Sequence, residues 1–432
     1  MAASREWASP VTFGTGTGAK ARRIIDLIKE AEGRGKQKER FVVMTGHPIP
    51  RARRLAAAVM GTGIIFAVAP VVAGGSPPPA SDSAARVPSG FAANSITWIS
   101  PTVGWILGSA RNGTKAKTDI VGTVDGGKTW RLVASIKAAI PQVGTGGSGV
   151  TELRFATAKV GYAFGPGLYR TMNGGTTFSA MPLPGGGKQV LALAANAKQV
   201  YMVVSPCTFA SGICSHKPLG LWRRSLVSKG AWTHVPVSLP INDAADLSLH
   251  GTSVYVVDAQ RNVTGKLDKL YASTDGVRFA SRPVPCDRFP DIALLQAVAT
   301  SRTGVDLLCD GNPGFGKAVK FAYRSSDTGK KYVSAGTMGD SWGIEAGMTV
   351  SPTGNMAVAS WSIGSFMWIN VGRKTAWSMV IGLGDGGRGW NDPTYVSAKV
   401  AWVVYSPVDL FNGLGKVYRT TNSGESWHPV TL

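Results

Sequence analysis

"TVDGGKTW" occupies residues 123–130. Gly126 and Gly127 can take the positive φ that a tight hairpin turn needs. Asp125 can accept hydrogen bonds from the backbone N–H groups just ahead of it, as an Asx turn does. Thr123 and Thr129 suit flanking strands, and Trp130 is a large apolar side chain to bury behind the turn. One such stretch predicts one hairpin.

The stretch recurs. "TMNGGTTF" (171–178), "SSDTGKKY" (325–332) and "TTNSGESW" (420–427) keep the pattern, with Asn173 and Asn422 replacing the acid in two of them. "STDGVRF" (273–279) is one residue shorter, and "SLVSKGAW" (225–232) and "NVGRKTAW" (370–377) have lost the acid. The closing aromatics are Trp130, Phe178, Trp232, Phe279, Tyr332, Trp377 and Trp427, a spacing of 45 to 54 residues. A period of about fifty residues points to a propeller or a solenoid.

A second series precedes the first. "SPTVGWIL", "TAKVGYAF", "NAKQVYMV", "HGTSVYVV", "SRTGVDLL", "SPTGNMAV" and "SAKVAWVV" each join a turn-like stretch to an apolar run. They align Trp105, Tyr162, Tyr201, Tyr255, Asp306, Met356 and Trp402. Runs such as "VTELRFA" and "QVLALAA" supply a further strand before each. Four strands per unit, seven units and no amphipathic helix between them predict an all-β, seven-bladed β-propeller with four-stranded antiparallel blades.

The motifs resemble the Asp-box, or bacterial neuraminidase repeat, of the sialidase-like propellers. The resemblance covers residues 88–432 and implies that Asp125, Trp130, Asn173, Phe178, Asp275, Asp327, Asn422 and Trp427 have structural roles. If the innermost strand A starts at a top face, A–B and C–D turns lie at the bottom and B–C and D–A loops at the top. The motif falls in the C–D hairpin, away from a site at the upper channel mouth. Family sialidases carry an arginine-containing motif before the first box. Here Arg111 is the only arginine between the linker and that box, so the chain reads as a non-sialidase member. Xyloglucanase-like relatives pair two propellers, and this chain has one. The plain repeats also resemble exported photosystem assembly-factor propellers, which bind partner proteins.

Charged residues are 16% of the chain and hydrophobics 44%, which excludes a disordered composition. The net charge is +21. "RARRLAAAVMGTGIIFAVAPVVAGG" (51–75) places a basic flank before an apolar stretch, 55–73. It is expected to be a signal peptide cleaved near Ala73, with a signal anchor as the alternative. Initiation at Met44 would give it an ordinary length. The expected organisation is 1–43 as a misassigned start or short cytoplasmic tail, 44–75 as the export segment, 76–90 as linker and 91–432 as propeller. Cysteine usage fits export, with Cys207–Cys214 and Cys286–Cys309 as the expected disulfides among three possible connectivities. The histidines show no ligand spacing, and no metal or cofactor is expected.

Two functions remain open. Glu152, Glu345, Asp246 and Asp392 are placed at the starts of A strands and aimed at the channel mouth. Two such carboxylates at the right separation could serve a glycosidase. The alternative is a non-catalytic binding or scaffold module at the cell surface, working through top-face loops of variable length. These loops carry Arg111, Lys115, Lys117, His216, Lys217, Arg261, Lys266, Lys269, Lys317, Lys320 and Lys416, and would attract an anionic polymer or an acidic partner protein. Nucleic acid is not expected, membrane contact only through the N-terminal segment, and the chain is expected to be a monomer.

Overall fold

The computed structural model describes residues 85–112, 115–140, 149–208, 218–227, 230–240, 244–259, 268–288, 292–311, 318–338, 343, 345–361, 364–383, 389–405 and 415–432. They form seven four-stranded antiparallel sheets, each a simple meander of consecutive strands A to D. Blade 1 is Phe91–Trp98, Gly104–Asn112, Lys115–Thr123 and Arg131–Ile136. The A strands of blades 2 to 7 are Glu152–Phe155, Gln189–Ala195, Ala244–His250, Ala293–Ala299, Glu345–Val350 and Trp390–Tyr395. Each A strand touches the next round the whole ring, so they line the axis.

The core is divided among the blade interfaces. Seven buried apolar clusters are present, and each draws on two adjacent blades. Tyr255 and Leu270 of blade 4 pack with Leu294 and Leu307 of blade 5, for example. A B strand covered on both faces has no polar side to present, and Ser253–Ala259 and Val305–Asp310 are buried at every residue. That is why these strands read as apolar runs and not as alternations.

Ring closure uses packing between the chain ends of the propeller. Ile96, Ile106 and Val121 of blade 1 pack with Trp402, Val404 and Val417 of blade 7. The Ala93 amide donates to the Gly415 carbonyl at 3.2 Å. Blade 7 consists wholly of its own strands, from Trp390–Tyr395 to His428–Val430, with no strand exchanged with blade 1.

Cys286, in a short 3-10 turn entering blade 5, is joined to Cys309 on strand B of that blade. Cys207 is also disulfide-bonded, and its expected partner, Cys214, lies outside the described residues. So does 55–73; among the described residues no helix is long and apolar enough to cross a membrane.

Candidate functional site

Every copy of the turn motif lies where the meander places it, between strands C and D. Asp125 Oδ1 accepts from the Lys128 and Thr129 amides at 2.9 and 3.0 Å and from the Thr123 hydroxyl at 2.8 Å. Its Oδ2 accepts from the Thr129 hydroxyl at 2.6 Å. Thr123 Oγ1 in turn accepts from the Gly127 amide at 3.0 Å. Burial alone would raise the Asp125 pKa, but these donors outweigh it and lower it to about 2. Asp275 and Asp327 are held below the usual carboxylate range chiefly by amides of their own turns, those of Arg278 and Lys331 foremost. Asn173 and Asn422 make the same amide contacts, to Thr177 and Ser426 at 3.0 Å. In the acid-less sixth copy Asn370 Nδ2 donates instead to the Lys374 and Ala376 carbonyls.

The two sequence series meet across the blade interfaces, a relation that the spacing alone did not reveal. Trp105 of blade 1 donates through Nε1 to the Gly174 carbonyl in the turn of blade 2, at 3.2 Å. Tyr201 of blade 3 donates to the Gly276 carbonyl in the turn of blade 4, at 2.7 Å. A Cβ on Gly127 in blade 1 would stand 2.4 Å from the Trp402 ring of blade 7. The turn of one blade is therefore the socket for the strand-B aromatic of the blade before it. Asp306 breaks the series at the interface of blades 5 and 6. It is 5% exposed and 3.8 Å from Arg324 Nε, and burial pushes its carboxyl up to about 7 against the pull of Arg324 and Arg373.

Two of the candidate carboxylates, Glu152 and Asp392, are brought together by one arginine. Glu152 opens its A strand, whereas Asp246 and Asp392 stand third in theirs and not at the start. Arg154, two residues after Glu152, reaches Glu152 Oε2 at 3.0 Å and Asp392 Oδ1 at 2.8 Å. Asp392 Oδ2 also accepts from the Ser95 hydroxyl, the Ile96 amide at 3.2 Å and Arg154 Nη1 at 3.3 Å. Burial would lower the Arg154 pKa, but Asp392, Glu152 and, more weakly, Asp246 raise it above the ordinary arginine value. For Glu345 the described feature is its backbone place opposite Trp361.

Asp246 belongs to a wider pattern. An A strand is the inner edge of its sheet, and its free amides need acceptors. Ser95 and Thr97 accept from the Leu153 and Phe155 amides of the next blade at 3.0 and 3.3 Å. Asp246 and Ser248 accept from Ala297 and Ala299 at 3.1 and 2.8 Å. Gln296 accepts from Met348 at 2.6 Å and Thr349 from Tyr395 at 3.0 Å. Asp392 does the same for Ile96 at the closing junction. These carboxylates are framework acceptors, which corrects their expected placement as strand-end groups open to the channel. Alternating polar residues on the A strands, Ser95-x-Thr97 and Asp246-x-Ser248, were the available signal for this role.

The basic rim also needs correction. Lys320 is fully buried, donates to the Gly343 carbonyl at 2.6 Å and lies 3.5 Å from Asp310, so it is no part of a rim. Lys269 is half-buried and Lys416 exposed. Arg111, Lys115 and Lys117 are placed on the blade 1 strands, and His216, Lys217, Arg261, Lys266 and Lys317 lie outside the described residues.

No protein-family model matches the sequence, and no curated protein matches it. Among solved structures the chain is similar to YCF48 bound to a D1 peptide, at 12% identity and a TM-score of 0.48, over 78% of this chain and 96% of that one. It is also similar to a structural-genomics protein of unknown function from Bacteroides thetaiotaomicron, at 11% identity and a TM-score of 0.38, over 78% of this chain and 100% of that one.

Proposed function

We propose that this protein is an exported, non-catalytic binding or scaffold propeller of the Asp-box superfamily, acting at the cell surface. One observation carries the reading: Asp392 and Asp246, two of the carboxylates at the channel, are already committed. A glycosidase acid must present a protonated oxygen to the glycosidic bond, and its partner must face the sugar or a water. Asp392 instead accepts four hydrogen bonds across its two oxygens, and Asp246 caps a neighbouring strand. A carboxylate so placed is an acceptor that stiffens the ring.

The domain division is that of the sequence: an export segment over 44–75, cleaved near Ala73, a linker over 76–90 and the propeller over 91–432. Recognition belongs to the top-face loops, whose lengths vary on a common four-stranded frame. Arg111, Lys115, Lys117 and Lys269, on strands that flank these loops, together with Lys217 and Lys266, make this end attractive to an anionic wall polymer or an acidic partner protein. Binding of an anionic polysaccharide, followed by calorimetry, should weaken steeply between low salt and about 0.5 M salt, because exposed charges are screened within about 10 Å at 0.1 M. Charge reversal at Lys115, Lys117, Lys266 and Lys269 should weaken it at least about tenfold at unchanged melting temperature, two to three such contacts being worth that much at the scale of exposed ion pairs. Binding indifferent to both salt and reversal would reject the top-face site.

A further inference from the structure

The basic surface that the structure describes most fully is at the opposite end. Amides of the C–D turns donate to carbonyls of the A–B turns, Gly174 to Lys159, Thr328 to Thr303 and Ser423 to Lys399, so both turn sets share the bottom face. The charged side chains of the A–B turns are Lys159, Lys198, Arg302 and Lys399, all exposed and all basic. The C–D turns add the exposed pairs Lys330–Lys331 and Arg373–Lys374. Of the acids at this end, Asp125, Asp275 and Asp327 are turned back onto their own hairpins, and Glu425, in the C–D turn of blade 7, stands exposed. At the other end the turn Pro285–Arg288 carries an exposed acid, Asp287.

The same face carries apolar side chains that no blade covers. The large apolar side chains that stand exposed among the described residues are Val124, Met172, Val227, Val277, Val333 and Met379. The first four are on C–D turns of blades 1 to 4. Val333 and Met379 are within the first two residues of strand D in blades 5 and 6. Val227 is 75% exposed and Met172 53%. The second position of the turn motif, which holds Val124 and Met172, makes none of the turn's hydrogen bonds, so nothing in the hairpin requires an apolar residue there.

We infer that the bottom face docks on an anionic lipid bilayer, with lysines and arginines at the headgroups and the Val and Met tips inserted shallowly between them. Separate apolar tips spread round a ring, each among cations, suit a fluid interface that fills in around them. A protein partner would ask for one contiguous desolvated patch, and an anionic polysaccharide offers the tips nothing. Ala85, ahead of blade 1, accepts from the Leu132 amide just beyond the first C–D turn, so the chain enters blade 1 past this end.

The test uses the full chain labelled with an environment-sensitive dye, at Val227→Cys on the bottom face and, separately, at Lys188→Cys in an exposed top-face loop. Vesicles are phosphatidylcholine alone or with about a third phosphatidylglycerol. The label at 227 should shift to the blue on anionic vesicles only, and the label at 188 should not shift. Reversing Lys330, Lys331, Arg373 and Lys374 to Glu should reduce the fraction docked at least about tenfold, each exposed cation near an anionic surface contributing to affinity. Replacing Val124, Met172 and Val277 with Ser should reduce it too, at unchanged melting temperature. No shift at 227, equal shifts at both sites or equal shifts on neutral vesicles would each overturn the inference. The last outcome is what an N-terminal anchor alone would produce, and none of these bears on the top-face site.

Discussion

Asp125 shows how much one side chain does in this fold. Its two oxygens collect four hydrogen bonds within a single turn. Asp125→Ala should cost about 0.5–2 kcal/mol, the scale of one or two local hydrogen bonds. The carboxyl titrates at about 2 in the folded chain against 3.8 ordinarily. A depressed folded pKa adds stability that is complete above the unfolded value and is lost as pH falls through the folded one. Melting temperature should therefore drop from about pH 4 to about pH 2 in part through Asp125. Asp125→Asn, which copies Asn173 and Asn422, should keep the turn and make that acid limb shallower. An unchanged acid limb would show that the Asp125 carboxylate does not contribute. Asp125 was legible in the sequence because its partners are within four residues. Asp392 was not, since its partners Ser95 and Arg154 lie far away in the chain and meet it only when the ring closes.

At the scale of the element, the unit of cohesion is a joint between the turn of one blade and the strand-B aromatic of its neighbour. Gly276 illustrates the fit. It has φ +70°, and a Cβ there would stand 2.2 Å from the Tyr201 hydroxyl. Gly276→Ala should cost about 2–4 kcal/mol, from the left-handed backbone and the displaced tyrosine together. Tyr201→Phe removes the hydroxyl that lies 2.7 Å from the Gly276 carbonyl and 3.0 Å from Gln199 Oε1 and should cost about 0.5–1.5 kcal/mol. Because both changes act on one joint, the double variant should cost less than the two costs added, by urea unfolding. Full additivity would mean that turn and aromatic are independent. The sequence displayed both halves of this joint at a common period, and so the blade count was readable. It did not display their pairing, because a repeat read along the chain does not say which copy faces which. Asp306 in an aromatic position and Lys320 in a presumed rim were misleading for the same reason. Each has its partner, Arg324 or Asp310, on an adjacent strand, and burial there depends on the neighbouring blade.

Across the whole molecule, side-chain acceptors on the A strands take up strand-edge amides of the next blade at five of the seven junctions among the described residues. This belt runs through Ser95, Thr97, Asp246, Ser248, Gln296, Thr349 and Asp392. Asp246 and Asp392 belong to that belt, and the proposed recognition falls to the two faces. Asp392 is where framework and catalysis make opposite demands, and one paired measurement separates them. Thermal melting and turnover of a panel of chromogenic sialosides and glucosides are followed for the wild type and Asp392→Asn. If Asp392 is framework, the variant should melt at least about 2 °C lower, since Arg154 loses a half-buried ionic partner, and neither protein should release chromophore. Turnover by the wild type, abolished in Asp392→Asn at an unchanged melting temperature, would contradict the account and make Asp392 a catalytic residue.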